Sequence, residues 1–198
     1  MAKGDEARAD FIPQNRVASC QAMVCDCKIK YKRSAAAGRI MMEVIAMAIR
    51  NIVYEGDEIL TKVCRPVEKF DEKLAMLLDD MADTLKDADG CGLAAPQVGI
   101  LRRVCIVAVG EGIIELINPV IVEKTGRQED LEGCLSCPGD WGVTRRPKKV
   151  TVRAQDRHGK EFTVSGEDLK ARALCHEIDH LDGILFRSHV IRYVKDVE

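Results

Sequence analysis

Residues 176–183 are His-Glu-Ile-Asp-His-Leu-Asp-Gly, and the first five form a His-Glu-x-x-His string. Side chains at positions i and i+4 of a helix project from the same face, so His176 and His180 can bind one metal ion. Glu177 stands beside them as a candidate general base. The alternative is a solvated helix surface that carries two histidines. We prefer the metal site because two of only four histidines stand at ligand spacing with a carboxylate between them.

The helix that carries this string is predicted to begin at Ser165 and to end at Gly183. Asp168, three positions after Ser165, completes a partial capping box, and glycine commonly follows the last turn of a helix. The string then lies in the middle of the helix, where two ligands at i and i+4 are held rigidly.

The rest of the chain is predicted to contain mainly strands. One earlier helix is expected within 70–86, because Leu74, Leu77, Leu78, Met81 and Leu85 recur at helical spacing. Strands are predicted at 49–54, 103–109 and 115–123, the last at a sheet edge or with a bulge because it contains Pro119. Segments 149–154 and 161–164 flank an Asp-Arg-His-Gly turn and predict a hairpin. Strands followed by a late helix favour an α+β fold over a doubly wound sheet.

Composition sets wider limits on the class of protein. The chain has 198 residues, 46% of them hydrophobic and 31% charged, as expected of a globular protein. Its formal net charge of −2 gives no reason to expect binding to nucleic acid or to membrane phosphates. No apolar run approaches the roughly 20 residues that span a bilayer. Nine cysteines without a cleavable signal peptide predict reduced thiols and a cytoplasmic location.

The chain is predicted to divide near residue 47. Residues 1–46 lack apolar periodicity, and we expect an appendage that is either poorly ordered or not native. Residues 47–198 are expected to form the catalytic domain.

A catalytic metal of this kind usually has three protein ligands and an open position for water. In one large class of metallopeptidases a third histidine follows the string, but that position here is Phe186. His189 lies beyond the predicted helix end, and Asp196 and Glu198 are tail residues. Upstream, Cys134 offers a thiolate on a short turn and is the best remaining candidate.

Three motifs together resemble those of the peptide deformylase family. They are Gly-Cys-Gly-Leu-Ala-Ala-Pro-Gln at 90–97, Glu-Gly-Cys-Leu-Ser at 132–136 and the string at 176–183, in the family's order and spacing. The resemblance extends from about Met47 to about Phe186, and it departs from the family at Cys175, where many members carry glutamine. It implies the deformylase variant of the α+β fold, with antiparallel or mixed strands packed around a central metal-bearing helix.

The resemblance also implies an activity: removal of the formyl group from the N-terminal formylmethionine of new bacterial proteins. It assigns the metal to Cys134, His176 and His180, the proton transfer to Glu177, and oxyanion donors to the Gln97 side chain and the Leu135 backbone N–H. The implied ion is Fe²⁺, with Zn²⁺, Ni²⁺ or Co²⁺ as possible occupants. The implied substrate is the formylated N-terminus of a nascent polypeptide near the ribosome, and we expect a monomer without direct nucleic-acid or membrane contacts.

Other residues near the motifs allow two interpretations each. Gly90 and Gly92 are expected to end the preceding helix and to let a peptide backbone approach closely. Leu169 and Ala173 share the helix face of His176, where they either line a pocket for the methionine side chain or belong to the core. Glu132 is either paired with Arg146 behind the metal site or solvated. Cys137, in Cys-x-x-Cys spacing with Cys134, is interpreted as a packing residue.

Two alternatives remain open at this point. One is a zinc metallopeptidase, which shares the string and the base. The other is a structural metal-binding module in which Cys137 or Cys175 supplies a fourth ligand and closes the site.

Overall fold

The computed structural model describes residues 49–195. The predictions for the appendage at 1–46 and for the tail residues Asp196 and Glu198 therefore fall outside the described residues. Within them are two α-helices, α1 (Glu72–Asp87) and α2 (Asp168–Leu181). The eight strands are β1 (Gly92–Ala94), β2 (Val104–Val107), β3 (Ile114–Thr125), β4 (Gln128–Cys134), β5 (Cys137–Arg146), β6 (Lys149–Gln155), β7 (Glu161–Glu167) and β8 (Val190–Val194). Short 3-10 turns occupy Glu58–Thr61, Ala95–Val98 and Phe186–His189.

The strands form two antiparallel sheets. The larger has the order β1-β2-β3-β6-β7, and the smaller has the order β4-β5-β8. This is the predicted α+β class, and the predicted hairpin is present as β6 and β7. In the described part of the chain, no helix is long and apolar enough to span a membrane.

The larger sheet carries apolar side chains on both faces. Alternate residues of β2 belong to different core clusters: Cys105 and Val107 pack with α2, whereas Val104 and Ile106 pack with α1. Side chains alternate across a strand, so β2 is covered on each side by one helix. Helix α2, which carries the His-Glu-x-x-His string, therefore lies against a fully buried strand.

Helix α1 is confirmed where its spacing predicted it. Asp71 caps it by accepting a hydrogen bond from the Leu74 backbone N–H at 3.1 Å. The helical residues named from the sequence are all buried: Leu74, Leu77, Leu78, Met81 and Leu85.

The predicted start of α2 at Ser165 is wrong. Ser165 lies in β7, where it pairs with Thr151 and the two hydroxyls are 3.0 Å apart. The helix begins only at Asp168, and its N-cap Glu167 makes no side-chain capping bond. The predicted stop is confirmed, since Gly183 has a φ of 72° two residues after the helix ends at Leu181.

One strand prediction is wrong, and another is confirmed in one of its two alternatives. Residues 49–54 form no regular strand; instead the Val53 N–H donates to the Gln97 carbonyl and the Glu55 N–H to that of Ser136, each at 2.8 Å. These single bonds tie an irregular segment to two turns beside the candidate site. The strand that contains Pro119 lies between β2 and β6, not at an edge. The bulge is confirmed by a register shift between Ile117 and Val120.

Candidate metal centre

Three predicted ligands converge where β4 ends beside α2. The ligand atoms of Cys134, His176 and His180 all lie within 4.8 Å of one another. Cys134 Sγ is 3.3 Å from His180 Nε2. His176 and His180 are 8% and 1% exposed, whereas Cys134 is partly exposed. The cluster is therefore closed on the helix side and reached from the side of the thiol.

A tight hairpin brings Cys134 to the helix. Cys134 and Cys137 are cross-strand partners of β4 and β5, with only Leu135 and Ser136 in the turn between them. The Ser136 N–H donates to the Cys134 sulfur. Ser136 is fully buried, so the hairpin tip is fixed against the body of the protein.

Glu132 orients His176 from behind. Its Oε1 accepts from His176 Nδ1 at 2.6 Å, which leaves the other ring nitrogen of His176 free to bind a cation. Arg146 donates to both oxygens of Glu132, at 2.7 and 3.1 Å, and the Thr144 hydroxyl donates at 2.6 Å. The expected pairing of Glu132 with Arg146 is thus present.

The hydrogen bonds among Glu132, Arg146 and His176 shift the pKa values of the groups behind the candidate ligands. Burial alone would raise the pKa of Glu132, but the hydrogen bonds from His176 and Arg146 outweigh it and hold that pKa well below its usual range. Burial would likewise lower the pKa of His176, yet Glu132 and Glu177 raise it. His180 lacks such a partner, and its burial lowers its pKa, so it is neutral and free to bind a cation.

The network continues beyond Arg146 to a second carboxylate. Arg146 also donates to Asp179, within the His-Glu-x-x-His string, and His189 Nε2 lies 3.1 Å from the same carboxylate. His189 is thereby held away from the ligand cluster.

Glu177 is buried next to β1. It is 4% exposed, and its Oε2 has no hydrogen-bond partner among the described residues. Burial raises the pKa of Glu177 to about 7, near the value at which a carboxylate serves best as a general base in neutral solution. A Cβ added at Gly92 would stand 2.7 Å from the Glu177 carboxyl carbon. Glycine is therefore required where β1 passes the base.

Gln97 points its amide at the ligand cluster. The Ala94 N–H donates to Gln97 Oε1 at 2.9 Å, which fixes the orientation of the amide. Its Nε2 then donates to Ser136 Oγ at 3.1 Å and toward Cys134 Sγ at 3.6 Å. Gln97 is 1% exposed, so this donor is held in a nearly water-free position.

Gly90, Ala173 and Leu169 are the remaining residues that were predicted to contact the substrate. A Cβ at Gly90 would come within 2.9 Å of the Leu135 side chain, so Gly90 brings the end of α1 against the hairpin tip. Ala173 is 7% exposed and packs in the core cluster that α2 shares with the larger sheet. Leu169 is 36% exposed on the first turn of α2. Their role in holding a methionine side chain stays a prediction.

The donor set fits a catalytic divalent cation. One thiolate and two imidazoles are ligands of zinc and ferrous iron, and metal–ligand bonds of about 2.0–2.3 Å require the close grouping seen here. The hydrogen bond that Cys134 shares with Cys137 raises the pKa of the Cys134 thiol above its usual range and lowers that of Cys137. A thiol that binds a divalent cation is deprotonated outright, so this proton is displaced when metal binds.

These residues do not form the structural metal site that Cys137 or Cys175 would close as a fourth ligand. Across residues 49–195, the group that can hold an ion consists of Cys134, His176 and His180 alone. Cys137 and Cys175 are both 3% exposed and stand outside it. A metal ion held by these three side chains would keep a position for water beside the Glu177 carboxylate.

Such an open, carboxylate-flanked centre defines a class, the metal-dependent hydrolases. Comparison with known families narrows the class, because the model of the family described as polypeptide deformylase matches residues 49–196. The chain belongs to the polypeptide deformylase family. It is accordingly an enzyme that removes the N-formyl group from newly made polypeptides.

Individual relatives agree with the family match. The chain is 57% identical to a peptide deformylase of Caldicellulosiruptor bescii over 152 residues, which cover 77% of this chain and 92% of that protein. A crystal structure of a peptide deformylase from Legionella pneumophila superposes with a TM-score of 0.70 at 48% identity, covering 72% of this chain and 86% of that one. A Met-Ala-Ser-bound peptide deformylase from Acinetobacter baumannii gives a TM-score of 0.70 at 31% identity, covering 73% and 99%.

Sequence reasoning missed several residues of the site. Asp179 and Thr144 hold Arg146 and Glu132 in place, and Ser136 accepts from Gln97. Asp179 lies inside the string and Ser136 inside the second motif, so their positions offered a signal. Thr144 offered none, since only the pairing of β4 with β5 brings it opposite Glu132.

Proposed function

We propose that the chain hydrolyses the formyl group of N-terminal formylmethionine at the cluster of Cys134, His176 and His180, and releases formate. The observation that carries this proposal is the convergence of the three ligands with the Glu177 carboxylate and the Gln97 amide. A divalent ion held by these ligands would supply a Lewis acid and a nucleophilic hydroxide at neutral pH.

In this proposal Glu177 moves the proton. It takes a proton from the attacking water and returns it to the departing amine. Its burial supports this role, because it restricts the movement of the carboxylate, and Glu177 Oε2 has no hydrogen-bond partner within residues 49–195.

Gln97 and Leu135 stabilise the oxyanion that forms when the formyl carbonyl is attacked. The Gln97 Nε2 and the Leu135 backbone N–H are the donors. Support comes from the Ala94 N–H, which fixes the Gln97 amide so that its donor end faces Cys134. Loss of one such donor typically raises the barrier by about 3 kcal/mol, which lowers the rate roughly a hundredfold.

Gly90, Gly92, Leu169 and Ala173 contact the substrate. Glycine at both positions lets this segment of backbone lie close against Glu177 and the hairpin tip, where the peptide backbone of the substrate would bind. Leu169 and Ala173 line the pocket for the methionine side chain. The Met-Ala-Ser bound to the Acinetobacter baumannii relative supports a Met-initiated peptide as the class of substrate.

Two variants test the division of labour. Glu177→Ala should keep metal near stoichiometric and lower kcat at least about a hundredfold, as expected for a lost general base. Cys134→Ala should lose metal together with activity. Glu167→Gln, an exposed change at the N-terminus of the same helix, serves as the control and should leave both unchanged. Equal metal content in the two site variants, with Cys134→Ala still active, would remove Cys134 from the ligand set.

We further propose that Fe²⁺ is the working ion, with Zn²⁺ as a poorer occupant and Ni²⁺ or Co²⁺ as competent substitutes. A thiolate and two imidazoles accept all four, so what the cell supplies decides between them. Aerobic purification should lose activity that anaerobic reconstitution with Fe²⁺ or Ni²⁺ restores. A zinc-only preparation with full, oxygen-stable activity would contradict this.

The proposed setting is the cytoplasm, where a monomer meets formylated nascent chains near the ribosome without itself binding nucleic acid. The nature of the substrate and the formal net charge of −2 support this. Light scattering should give the mass of one chain, and cosedimentation with ribosomes should require a nascent chain. Equal cosedimentation with bare ribosomal RNA would contradict it.

A further inference from the structure

We propose that Cys134 and Cys137 form a site of reversible oxidation, where a hydroperoxide converts the two thiols to a disulfide and withdraws the thiolate from the metal site. The inference rests on the proposed role of Cys134 as a ligand. Cys137 has no place in the hydrolytic mechanism, so its position beside a ligand needs another explanation.

The hairpin places the two sulfurs within reach of each other. Cys134 and Cys137 are direct partners in the register of β4 and β5. Directly opposed residues of antiparallel strands have Cα atoms about 4.5–5.5 Å apart, and disulfides usually span Cα separations of about 4.4–6.8 Å. The two thiols are close enough for each to shift the pKa of the other. Closure therefore needs rotation of two side chains and little movement of the backbone.

Access to the two thiols is unequal, which sets the order of steps. Cys134 is partly exposed at the open side of the cluster, whereas Cys137 is 3% exposed. In the metal-loaded protein the Cys134 sulfur would be the thiolate, the form that reacts with peroxide, so the peroxide meets Cys134 first. Its O–O bond breaks, one oxygen forms the Cys134 sulfenic acid, and the other leaves as water or an alcohol. The Cys137 sulfur then attacks the Cys134 sulfur, the S–O bond breaks and water leaves, so two electrons pass from the thiols to the peroxide.

The buried partner gives this oxidation a different end point from that of a single cysteine. A sulfenic acid without a neighbouring thiol can be oxidised further to sulfinic acid, which a thiol reductant does not reverse. Condensation with Cys137 stops the reaction at the disulfide. A cation at this site would then keep only the two imidazole ligands of His176 and His180 and would be bound more weakly, and reduction of the disulfide would restore the third ligand.

Three further described thiols are buried and lack this arrangement. Cys64, Cys105 and Cys175 are each 3% exposed or less. None of these three faces another cysteine in the strand register of residues 49–195. Buried thiols of this kind are inert, so an oxidant is expected to act at the hairpin pair before these three, and the partly exposed Cys91 is followed separately in the peptide map.

The test uses the full chain in its metal-loaded form, with hydrogen peroxide as the probe. Brief treatment should join peptides through Cys134 and Cys137 in a non-reducing map and release the metal to a chromogenic chelator. Dithiothreitol and fresh metal ion should then restore both the thiols and the bound metal. Sulfinic acid at Cys134 with no cross-linked peptide in the wild-type chain would overturn the proposal.

Matched variants distinguish an effect of the Cys134–Cys137 pair from the effect of losing any one buried thiol. Cys137→Ser should bind metal as the wild type does, yet the same treatment should drive Cys134 to sulfinic acid, with most of the metal binding not recovered after reduction. Cys137→Val repeats the test with an apolar side chain in case serine disturbs the buried position. Cys175→Ala, a change at another buried thiol, should behave as wild type. Equal recovery in Cys137→Ser and wild type would overturn the proposal.

The peptide map and the metal-release assay also distinguish a failure of this inference from a failure of the proposed function. The peptide map reports on the disulfide in any form of the chain, with or without metal. A disulfide that forms while the metal stays bound would overturn the link to the metal site and would count against Cys134 as a ligand.

Discussion

Arg146 is the buried cation on which the carboxylate behind the metal site depends, and its removal has a calculable cost. The Arg146 and Glu132 side chains are 3% and 5% exposed. Arg146→Met keeps much of the aliphatic stem but leaves Glu132 as a buried charge without its cation. Removing one partner of a buried ion pair costs about 3–5 kcal/mol. For a chain of this size that corresponds to a fall in Tm of about 6–20 °C.

The neighbouring arginine gives a matched control. Arg145 pairs with Glu129, but these side chains are 54% and 49% exposed, so Arg145→Met should cost only about 0–1 kcal/mol. Urea unfolding of the metal-free proteins, followed by circular dichroism, gives both free energies. Arg146→Met should also weaken metal binding by roughly 10–100-fold, because Glu132 no longer holds His176 firmly. Equal, small losses of stability in the two variants would refute this account of the network.

Three other changes have definite expected results. Gly92→Ala should lower kcat roughly tenfold to a hundredfold with bound metal unchanged, because the new Cβ displaces the Glu177 carboxylate. Gly110→Ala is the control: its Cβ meets nothing within 4 Å, but its φ of 95° strains alanine, so it should lower stability and leave kcat unaltered. The reverse pattern would contradict the close approach of Gly92 to Glu177. Gln97→Leu should lower kcat about a hundredfold with little change in KM, and unchanged steady-state constants would exclude it as an oxyanion donor. A chain that begins at Met47 should fold, bind metal and deformylate with unchanged rate constants; insolubility, or a large drop in turnover per bound metal, would show that residues 1–46 belong to the working enzyme.

Local periodicity explains which elements could be predicted. The spacing of apolar residues in α1 and the turn between β6 and β7 are properties of short segments. Strands β4 and β5 could not be found this way, since they contain Glu132, Gly133 and Gly139 where an apolar alternation would be expected. The charge of Glu132 is balanced by Arg146 on the paired strand, a contact that forms only in the folded hairpin. The helix start was wrongly predicted at Ser165 for a related reason. The Ser165 hydroxyl shares a hydrogen bond with Thr151 on the neighbouring strand β6 and does not cap the helix.

The same difference between local patterns and contacts of distant segments explains which residues of the candidate site could be predicted. His176 and His180 follow from helical spacing, and the Cys134 assignment came from elimination together with the three motifs. Asp179 was not assigned a role, because its partner Arg146 lies 33 residues earlier and meets it only in the folded chain.

The most direct test of the central claim compares two peptides that differ only in the acyl group. The metal-reconstituted enzyme is incubated with formyl-Met-Ala-Ser or acetyl-Met-Ala-Ser, and formate, acetate and free amine are measured. The account predicts rapid, stoichiometric release of formate and amine from the first peptide and almost no reaction with the second. Comparable hydrolysis of both peptides, or cleavage of an internal amide bond in either, would contradict it.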